Sequence, residues 1–251
     1  MSFQNLKLHP TILGNISSLG YTNPTPIQAQ AIPIIIKGKD LLGMAKTGSG
    51  KTVSYVAPVL DRLFRGTSGK KNRQPKVLVL VPSRELAIQV VEVFKELTIK
   101  SPFPIKSMAV YGGVSINPQM KGLFGIDILV ATPGRLLDLH SSSAIDLSKV
   151  STLVLDEADK MLNLGFHKEM EEIFGLLPKK RQNLLFSATL SEQLSGINRV
   201  LLMDPEVIKI EDKVEDVESI NLSGYFVSDE KKGPLLRHLI KTCFMSFSLI
   251  R

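Results

Sequence analysis

The sequence predicts an α/β fold with a mostly parallel central sheet and helices on both faces. Short apolar runs that are rich in β-branched residues and bounded by Pro, Gly or Asp are typical of buried parallel strands. These runs alternate along the chain with helical patterns, and such alternation implies right-handed crossovers between neighbouring strands. The seven predicted strands are Asp40–Met44, Val77–Val81, Ile105–Tyr111, Ile126–Ala131, Leu153–Asp156, Leu184–Ser187 and Val207–Ile210.

The clearest helical pattern covers Ser83–Leu97, between the second and third predicted strands. Its apolar residues recur at the spacing of one helix face, and Ser83 suits the N-cap position. The segment therefore predicts an amphipathic crossover helix. Its apolar positions are Leu86, Ala87, Val90, Val91, Phe94 and Leu97.

Composition limits the class of protein. The 251 residues are 43% hydrophobic, which suffices for one large core, or for one core and part of a second. Met1–Pro10 lacks the apolar run of a signal peptide, and no stretch approaches the roughly 20 apolar residues of a membrane helix. We expect an intracellular, cytoplasmic protein with no membrane partner; nucleus and nucleolus are the alternatives in a eukaryote.

Cysteine and histidine usage argues against disulfides and structural zinc. The single cysteine, Cys243, cannot form an internal disulfide. The four histidines lie far apart in the sequence and show no metal-ligand spacing. A reducing compartment is the default expectation for such a chain.

Charge is distributed unevenly along the chain. Glu211–Glu218 holds five acids and one lysine, and reads as a linker. The whole chain has 31 basic and 24 acidic residues, so the remainder has 30 and 19, an excess of +11. An excess of this size indicates a polyanionic partner, although a lysine-rich solvated surface explains it equally well on composition alone.

Residues 45 to 52, AKTGSGKT, follow the pattern of a phosphate-binding loop except that Ala45 stands where the first Gly is expected. Such a loop needs converging backbone N–H groups, glycines, a following helix and a Lys that reaches the terminal phosphates. A methyl group at Ala45 is the smallest departure and removes no phosphate contact. A chance Gly-rich turn is the alternative, which the preceding strand and following helix disfavour. The predicted loop residues are Ala45, Lys46, Thr47, Gly48, Ser49, Gly50, Lys51 and Thr52.

Two carboxylates follow the predicted strand that ends in TLVLD. Asp156 at the strand end can hold Mg²⁺ through its waters, while Glu157 polarises an attacking water. By themselves, two acids after a strand are usually a helix cap. Together with the phosphate loop, they predict hydrolysis of a phosphoanhydride.

At Asp156–Asp159 the letters DEAD resemble the name-giving motif of the DEAD-box ATP-dependent RNA helicases. GYTNPTPIQ at Gly20–Gln28 resembles the adenine-reading Q motif of that family. The matches run from Phe3 to about Ile210 and imply one RecA-like P-loop NTPase domain. Four further motifs resemble those of the family in the expected order: PSRELA at Pro82–Ala87, Gly112–Gly113, TPGR at Thr132–Arg135 and SAT at Ser187–Thr189.

The resemblance implies an ATP site that begins at the Q motif. The Gln28 amide would pair with adenine in the bidentate manner of amides. Thr25 belongs to the same motif, Phe3 would be its upstream aromatic, and Tyr21 would stack on the base. For Tyr21 a partly buried core position is an equally weighted alternative, since aromatic residues are commonly buried.

The resemblance also assigns the catalytic end of the site. Lys51 would neutralise the β and γ phosphates, and Thr52 would bind Mg²⁺ together with Asp156. Glu157 would be the base. Asp159 would connect the ATP site to the RNA face through the hydroxyls of Ser187 and Thr189, for which simple strand-end capping is the alternative. The implied cofactors are ATP and Mg²⁺.

For the RNA side, the resemblance implies contacts to the sugar–phosphate backbone without base specificity. Arg84 and Arg135 suit such contacts, although either arginine could instead make a structural salt bridge. The implied RNA-binding residues are Pro82, Ser83, Arg84, Gly112, Gly113, Thr132, Pro133, Gly134 and Arg135.

The sequence departs from the family pattern at two motif positions. Lys46 stands where the family usually has Gln, and Ser83 stands where it usually has Thr. Neither change removes a phosphate ligand. The added charge of Lys46 either tightens phosphate binding or interferes with coupling, and Ser83 keeps a hydroxyl.

The predicted organisation is a RecA-like domain over 1–210, an acidic linker over 211–223 and the opening of a second RecA-like domain over 224–251. The rest of that second domain, with its transition-state arginines, is expected to be absent. An isolated strand and helix cannot bury a core, so we expect 224–251 to be poorly ordered, to pack on the first domain or to pair with another chain. The first domain itself is expected to be monomeric, with protein partners unidentified.

The predicted activity is ATP hydrolysis coupled to local opening of RNA duplexes, weak in this ATP-binding half alone. A non-catalytic, nucleotide-dependent RNA-binding module is the first alternative. Another P-loop ATPase that acts on DNA is the second, and the Q-like motif together with DEAD argues against it.

Overall fold

The computed structural model describes residues 2–66, 74–101, 104–189, 201–210 and 225–242. The chain divides into two compact units, Met1–Glu211 and Asp212–Arg251. The predicted linker 211–223 and residues 243–251 at the end of the predicted second-domain segment lie outside the described residues. None of the helices in these ranges has the length and apolar character needed to span a bilayer.

The first unit is built on a seven-stranded sheet in the order β3-β4-β2-β5-β6-β1-β7. All of its strand pairs are parallel. Each of the seven predicted strands is present, so the predicted fold class is confirmed. The strands are β1 Leu41–Met44, β2 Val77–Leu80, β3 Ser107–Val110, β4 Ile128–Ala131, β5 Thr152–Leu155, β6 Gln182–Ser187 and β7 Glu206–Lys209.

After a short 3₁₀ turn at Phe3–Leu6, α1 and α2 precede the first strand, and α3 to α8 lie in the connections between strands. The predicted amphipathic helix is α4, and the Ser83 hydroxyl caps it by accepting a hydrogen bond from Leu86 N at 3.2 Å. The helices are α1 Pro10–Ser18, α2 Pro26–Ile36, α3 Lys51–Arg65, α4 Arg84–Glu96, α5 Ile116–Gly122, α6 Pro133–Ser141, α7 Ala158–Asn163 and α8 His167–Leu176.

Strand alternation divides the core into two layers, one on each face of the sheet. On one face Val77 and Val79 of β2 pack with residues of α1 to α4. On the other face Leu78 and Leu80 pack with residues of α6, α7 and α8. Because both faces are covered, the central strands β2 and β4 are apolar throughout, as the sequence pattern predicted.

The parallel sheet brings every strand's carboxyl end to one edge, where α/β proteins bind ligands. The order of strands sorts the predicted motifs along this edge. The phosphate loop, DEAD and SAT follow β1, β5 and β6, which are neighbours. PSRELA, the Gly112–Gly113 pair and TPGR follow β2, β3 and β4, which are also neighbours. The edge thus has a predicted ATP half and a predicted RNA half.

The described part of the second unit, residues 225–242, contains a 3₁₀ turn at Asp229–Lys231 and the helix α9, Lys232–Thr242. This helix lies within the segment for which the sequence predicted one. The expectations about packing, order and pairing of 224–251 stay predictions.

Candidate active site

The predicted phosphate loop leaves the buried strand β1 and enters α3. Ala45 is 3% exposed, and its N–H donates to the carbonyl of Ser187 at 3.1 Å, which ties the start of the loop to β6. Gly48 and Gly50 have φ angles of +83° and +91°. These left-handed conformations favour glycine, so the two glycines set the turn that exposes the loop backbone at a helix N-terminus.

Lys51 is held inside the loop rather than extended into solvent. Its side chain is buried, and Nζ donates to the carbonyl of Ala45 at 2.8 Å. The ammonium group is therefore already positioned over the turn where the phosphates of a nucleotide would lie. The Ala45 methyl group does not obstruct this bond.

Gln28 connects the Q-like motif to the phosphate loop. Its Oε1 accepts from Thr25 N at 3.0 Å, and its Nε2 donates to the carbonyl of Gly50 at 3.1 Å. One amide proton and one lone pair remain available for a base. Within the described residues, the buried hydroxyl of Ser49 has no hydrogen-bond partner, so it is available to a ligand.

Asp156 follows β5 and is almost fully buried. Its Oδ2 accepts a hydrogen bond from the Tyr55 hydroxyl at 2.8 Å. Burial raises the pKa of the Asp156 carboxyl to about 6, against the opposing effects of the Tyr55 hydrogen bond and the Lys51 charge. The folded, metal-free protein favours the protonated form of Asp156, so this carboxyl stabilises the fold fully at pH values below its ordinary pKa of 3.8. That contribution to the free energy of unfolding is lost as pH rises through about 6.

Glu157 has an unusual backbone conformation, with φ 54° and ψ 48°. For a residue other than glycine this left-handed conformation costs on the order of 1–3 kcal/mol, and such strain clusters at functional sites. The conformation directs the chain sharply from β5 into α7. The Glu157 carboxylate pairs with Lys160 Nζ at 2.9 Å and is only 14% exposed.

Asp159 joins the DEAD segment to the SAT segment. Its Oδ2 accepts from Thr189 Oγ1 at 2.9 Å and from Thr189 N at 3.0 Å. The Ser187 hydroxyl donates to the carbonyl of Thr189 at 2.7 Å. Burial acts to raise the pKa of Asp159, but hydrogen bonds, chiefly those from the Thr189 hydroxyl and the N–H groups of Thr189 and Lys160, outweigh it and lower the pKa.

On the other half of the edge, Arg84 is exposed at the start of α4. Its guanidinium lies 5.0 Å from the centroid of the Tyr111 ring, a cation–π contact. Gly112 and Gly113 follow Tyr111 and are exposed, and Gly113 has φ +77°. Arg84 and these backbone N–H groups thus form an open surface after β2 and β3.

Arg135 differs from Arg84 because it is only 9% exposed. Its Nη2 donates to the carbonyl of Val114 at 2.8 Å, and its Nε pairs weakly with Asp138 at 3.4 Å. Arg135 therefore holds the loop after β3, which supports the structural alternative. Among the described residues its buried Nη1 has no hydrogen-bond partner, so one donor remains for an anion.

The model of the DEAD/DEAH box helicase family matches residues 25–197. The chain belongs to this family. The match contains the phosphate loop, the DEAD segment, SAT and all the predicted RNA-contacting motifs, whereas Phe3 and Tyr21 lie before it.

Curated members of this DEAD/DEAH box family resemble the chain over nearly all its length. The ATP-dependent RNA helicase DeaD of Buchnera aphidicola (Baizongia pistaciae) is 40% identical over 240 residues, which cover 95% of this chain and 39% of the relative. DeaD of Escherichia coli K12 is 40% identical over 236 residues, 94% of this chain and 37% of the relative. The chain thus spans well under half the length of these relatives.

The same family appears among solved structures. A DEAD box protein from the hyperthermophile Methanococcus jannaschii superposes with a TM-score of 0.76 at 34% identity, covering 96% of this chain and 63% of that structure. A hypothetical ATP-dependent RNA helicase from Sulfolobus tokodaii gives a TM-score of 0.73 at 34% identity, covering 81% and 57%. The RecA-like fold that the resemblance implied is confirmed.

The metal implied by this family suits the donors that are present. Asp156 supplies a buried carboxylate and Thr52 a hydroxyl, both oxygen ligands of the kind that Mg²⁺ prefers. Burial raises the pKa of this carboxyl, and a bound cation would favour its charged form. No group of three or more His, Cys, Asp or Glu in the described ranges could hold a metal.

The two predicted adenine-contacting aromatics lie in different environments. Tyr21 is 43% exposed after α1, so it is available to a base. Phe3 is 4% exposed and belongs to the core cluster beside α1 to α4. Its core position needs no ligand to explain it, and contact of either ring with adenine stays a prediction.

Two residues with roles at this family's ligand edge were missed from the sequence. Gln119 binds both backbone polar groups of Tyr111: its Oε1 accepts from Tyr111 N at 3.0 Å and its Nε2 donates to Tyr111 O at 3.2 Å. Tyr55 contacts Asp156 across the core. A tyrosine inside the largely apolar run of α3 was the available signal, because a buried phenol usually needs a polar partner.

Replacing Gly50 with alanine is expected to weaken ATP binding at least tenfold. A Cβ on Gly50 would lie 2.5 Å from Gln28 Nε2 and 3.0 Å from Thr25 Oγ1, and the φ of +91° strains any L-residue. Titration with ATP measures the effect. The matched control is Gly14→Ala in α1, where a Cβ meets nothing within 4 Å and binding should be unchanged. Equal affinity of the Gly50 variant and the wild type would contradict the prediction.

Proposed function

We propose that this chain is the ATP-binding RecA-like part of a DEAD-box RNA helicase, which hydrolyses ATP and couples hydrolysis to local opening of RNA duplexes. We also propose the domain boundaries 1–210, 211–223 and 224–251. The observation that carries the functional proposal is the carboxyl edge of the sheet, where the motifs predicted for ATP follow one set of neighbouring strands and those predicted for RNA follow another. The names of the curated relatives as RNA helicases support it, and neither alternative function is favoured by the comparisons.

In the proposed mechanism, Gln28 and Tyr21 bind the base, and the loop backbone with Lys51 binds the phosphates. Thr52 and Asp156 would hold Mg²⁺, which when bound neutralises phosphate charge. Glu157 orients the attacking water and takes its proton. Its left-handed backbone conformation sets where the carboxylate lies at the end of β5.

Coupling to RNA is proposed to pass through Asp159. DEAD and SAT follow adjacent strands, and the hydroxyl and N–H of Thr189 both bind the Asp159 carboxylate. A change at the phosphate end of the site alters the position of DEAD and therefore of SAT. The RNA half needs no base-edge contacts, since backbone N–H groups and Arg84 suit sugar and phosphate.

Steady-state ATP hydrolysis with and without single-stranded RNA tests this function, alongside direct titration with nucleotide. RNA that stimulates turnover more than DNA of the same sequence supports an RNA helicase, because only RNA offers the 2′-OH. Nucleotide binding without stimulated turnover supports the non-catalytic module. Stimulation by DNA alone supports the P-loop ATPase that acts on DNA.

Removing the exposed guanidinium of Arg84 is expected to weaken RNA binding about three- to tenfold and to lower the salt dependence of binding by about one phosphate contact. Fluorescence anisotropy with unrelated single-stranded RNA sequences at several salt concentrations measures both effects. Arg84→Lys should keep the salt slope but lose the stacking on Tyr111. Lys149→Ala is the control, because Lys149 is exposed just before β5, at the opposite edge of the sheet. If Lys149→Ala weakened RNA binding as much as Arg84→Ala, the assignment of RNA binding to this half of the sheet edge would be wrong.

A further inference from the structure

Tyr55 is a fully buried polar residue that lies next to the predicted metal ligands. It follows Lys51 by four residues, so both lie on the same face of α3. Its exposed fraction is 0%, and its ring packs at 5.3 Å between centroids against Phe186 of β6. The ring is thus fixed between α3 and the sheet, which leaves the hydroxyl little freedom to move.

That hydroxyl lies between the two residues predicted to bind Mg²⁺. It donates to Asp156 Oδ2 at 2.8 Å, in a fully buried hydrogen bond between residues 101 positions apart in the sequence. The side chain of Thr52 also interacts with it. A Thr52 hydroxyl that directs its proton to the Tyr55 oxygen keeps its lone pairs for a cation.

We propose that Tyr55 is a positioning residue of the metal end of the ATP site, which sets the rotation of the Asp156 carboxylate for Mg²⁺. The inference rests on the function proposed above. Because Tyr55 bonds to Oδ2, rotation of the carboxylate about χ2 is restricted, and this sets the direction in which Oδ1 meets the cation or its water. Residues that orient a ligand in this way commonly contribute 10–100-fold to metal affinity.

A purely structural role is the competing explanation, since a buried phenol needs an acceptor whether or not a metal binds. The two roles differ in what the hydroxyl changes. A structural bond contributes equally to the protein with and without Mg²⁺. A positioning bond contributes to the gain in nucleotide affinity that Mg²⁺ provides.

The test compares binding of AMP-PNP, an ATP analogue that is not hydrolysed, in EDTA and in saturating Mg²⁺ by calorimetry. The Kd in EDTA divided by the Kd in Mg²⁺ is the metal enhancement. Tyr55→Phe keeps the ring and its contact with Phe186, and removes only the hydroxyl. We expect it to reduce the metal enhancement about tenfold while the Kd in EDTA stays within about twofold of the wild type.

Two further variants make the outcome unambiguous. Ser54→Ala removes a neighbouring buried hydroxyl of α3 that bonds to Lys51 O, away from Asp156, and should leave the enhancement unchanged. Asp156→Asn should remove most of the enhancement. Thermal unfolding in EDTA verifies that each variant is folded.

Loss of enhancement in Asp156→Asn but not in Tyr55→Phe would overturn the inference about Tyr55 and leave the proposed function intact. A Tyr55→Phe variant with equally weakened binding in EDTA and Mg²⁺ would overturn it in favour of the structural role. If Asp156→Asn itself kept the enhancement, the metal assignment of the proposed function would fail, and the inference with it.

Discussion

Replacing Lys51 with alanine is expected to lower ATP affinity about 10- to 100-fold. Charge-assisted hydrogen bonds between an ammonium group and phosphate contribute about 1.5–3 kcal/mol, which corresponds to that range. Lys51 is 7% exposed and its Nζ already bonds to Ala45 O at 2.8 Å, so the charge is positioned before the nucleotide arrives. Calorimetric titration with ATP in the presence of Mg²⁺ measures the loss.

The loss should come from the missing charge and not from a rearranged loop. Lys51→Met keeps most of the buried side-chain volume and should bind ATP as weakly as Lys51→Ala does. Lys46→Ala is the matched control, because Lys46 lies in the same loop with its side chain exposed. It should change affinity by no more than about threefold, as expected for an exposed charge. Retention of wild-type affinity by Lys51→Ala would disprove the phosphate-loop assignment.

The fold, and the placement of the segments predicted for the ATP half, were predictable because their signals are local. Each strand of a doubly covered parallel sheet is a short apolar run, and all seven such runs are strands. The phosphate loop is contiguous in the chain, as are Asp156 and Glu157 after β5. Parallel strands then carry these segments to one edge without further information from the sequence.

Side-chain contacts between distant segments were not predictable in this way. Arg135 stands in a motif whose sequence suits phosphate contact, but its guanidinium holds the carbonyl of Val114, 21 residues away. The bond from Tyr55 to Asp156 spans 101 residues. Such pairs depend on strand order, and the sequence pattern contains strands but not their order. The left-handed conformation of Glu157 has no signal in the sequence either, since that position carries a residue other than glycine.

The order of strands also explains why the distance between the ATP half and the RNA half can be short. The ATP half ends at β5 and the RNA half ends at β2, and these two strands pair directly. The DEAD and PSRELA segments therefore leave adjacent strands, although 68 residues separate them in the sequence. A nucleotide-dependent shift of DEAD would need to cross one strand spacing, about 4.8 Å, to reach the RNA half.

Replacing Glu157 with glutamine is expected to lower RNA-stimulated ATP turnover about 10²- to 10⁴-fold, the usual contribution of a general base. Glutamine fits the same volume and accepts hydrogen bonds, but it cannot take a proton from water. Affinity for ATP should stay within about threefold of the wild type, because Glu157 is not among the phosphate-binding residues. Single-turnover hydrolysis with saturating RNA, together with titration by ATP, separates the two quantities.

The substitution also breaks the ion pair between Glu157 and Lys160, whose Nζ lies 2.9 Å from Oε1. Lys160→Ala removes that pair and keeps the carboxylate, so it separates the loss of the base from the loss of the pair. Since Lys160 is 55% exposed, its pairing contributes little and this variant should keep most of the turnover. If Glu157→Gln hydrolysed ATP at the wild-type rate, another group would be the one that activates the water. An equal loss in both variants would make Glu157 a residue that acts through the position of α7.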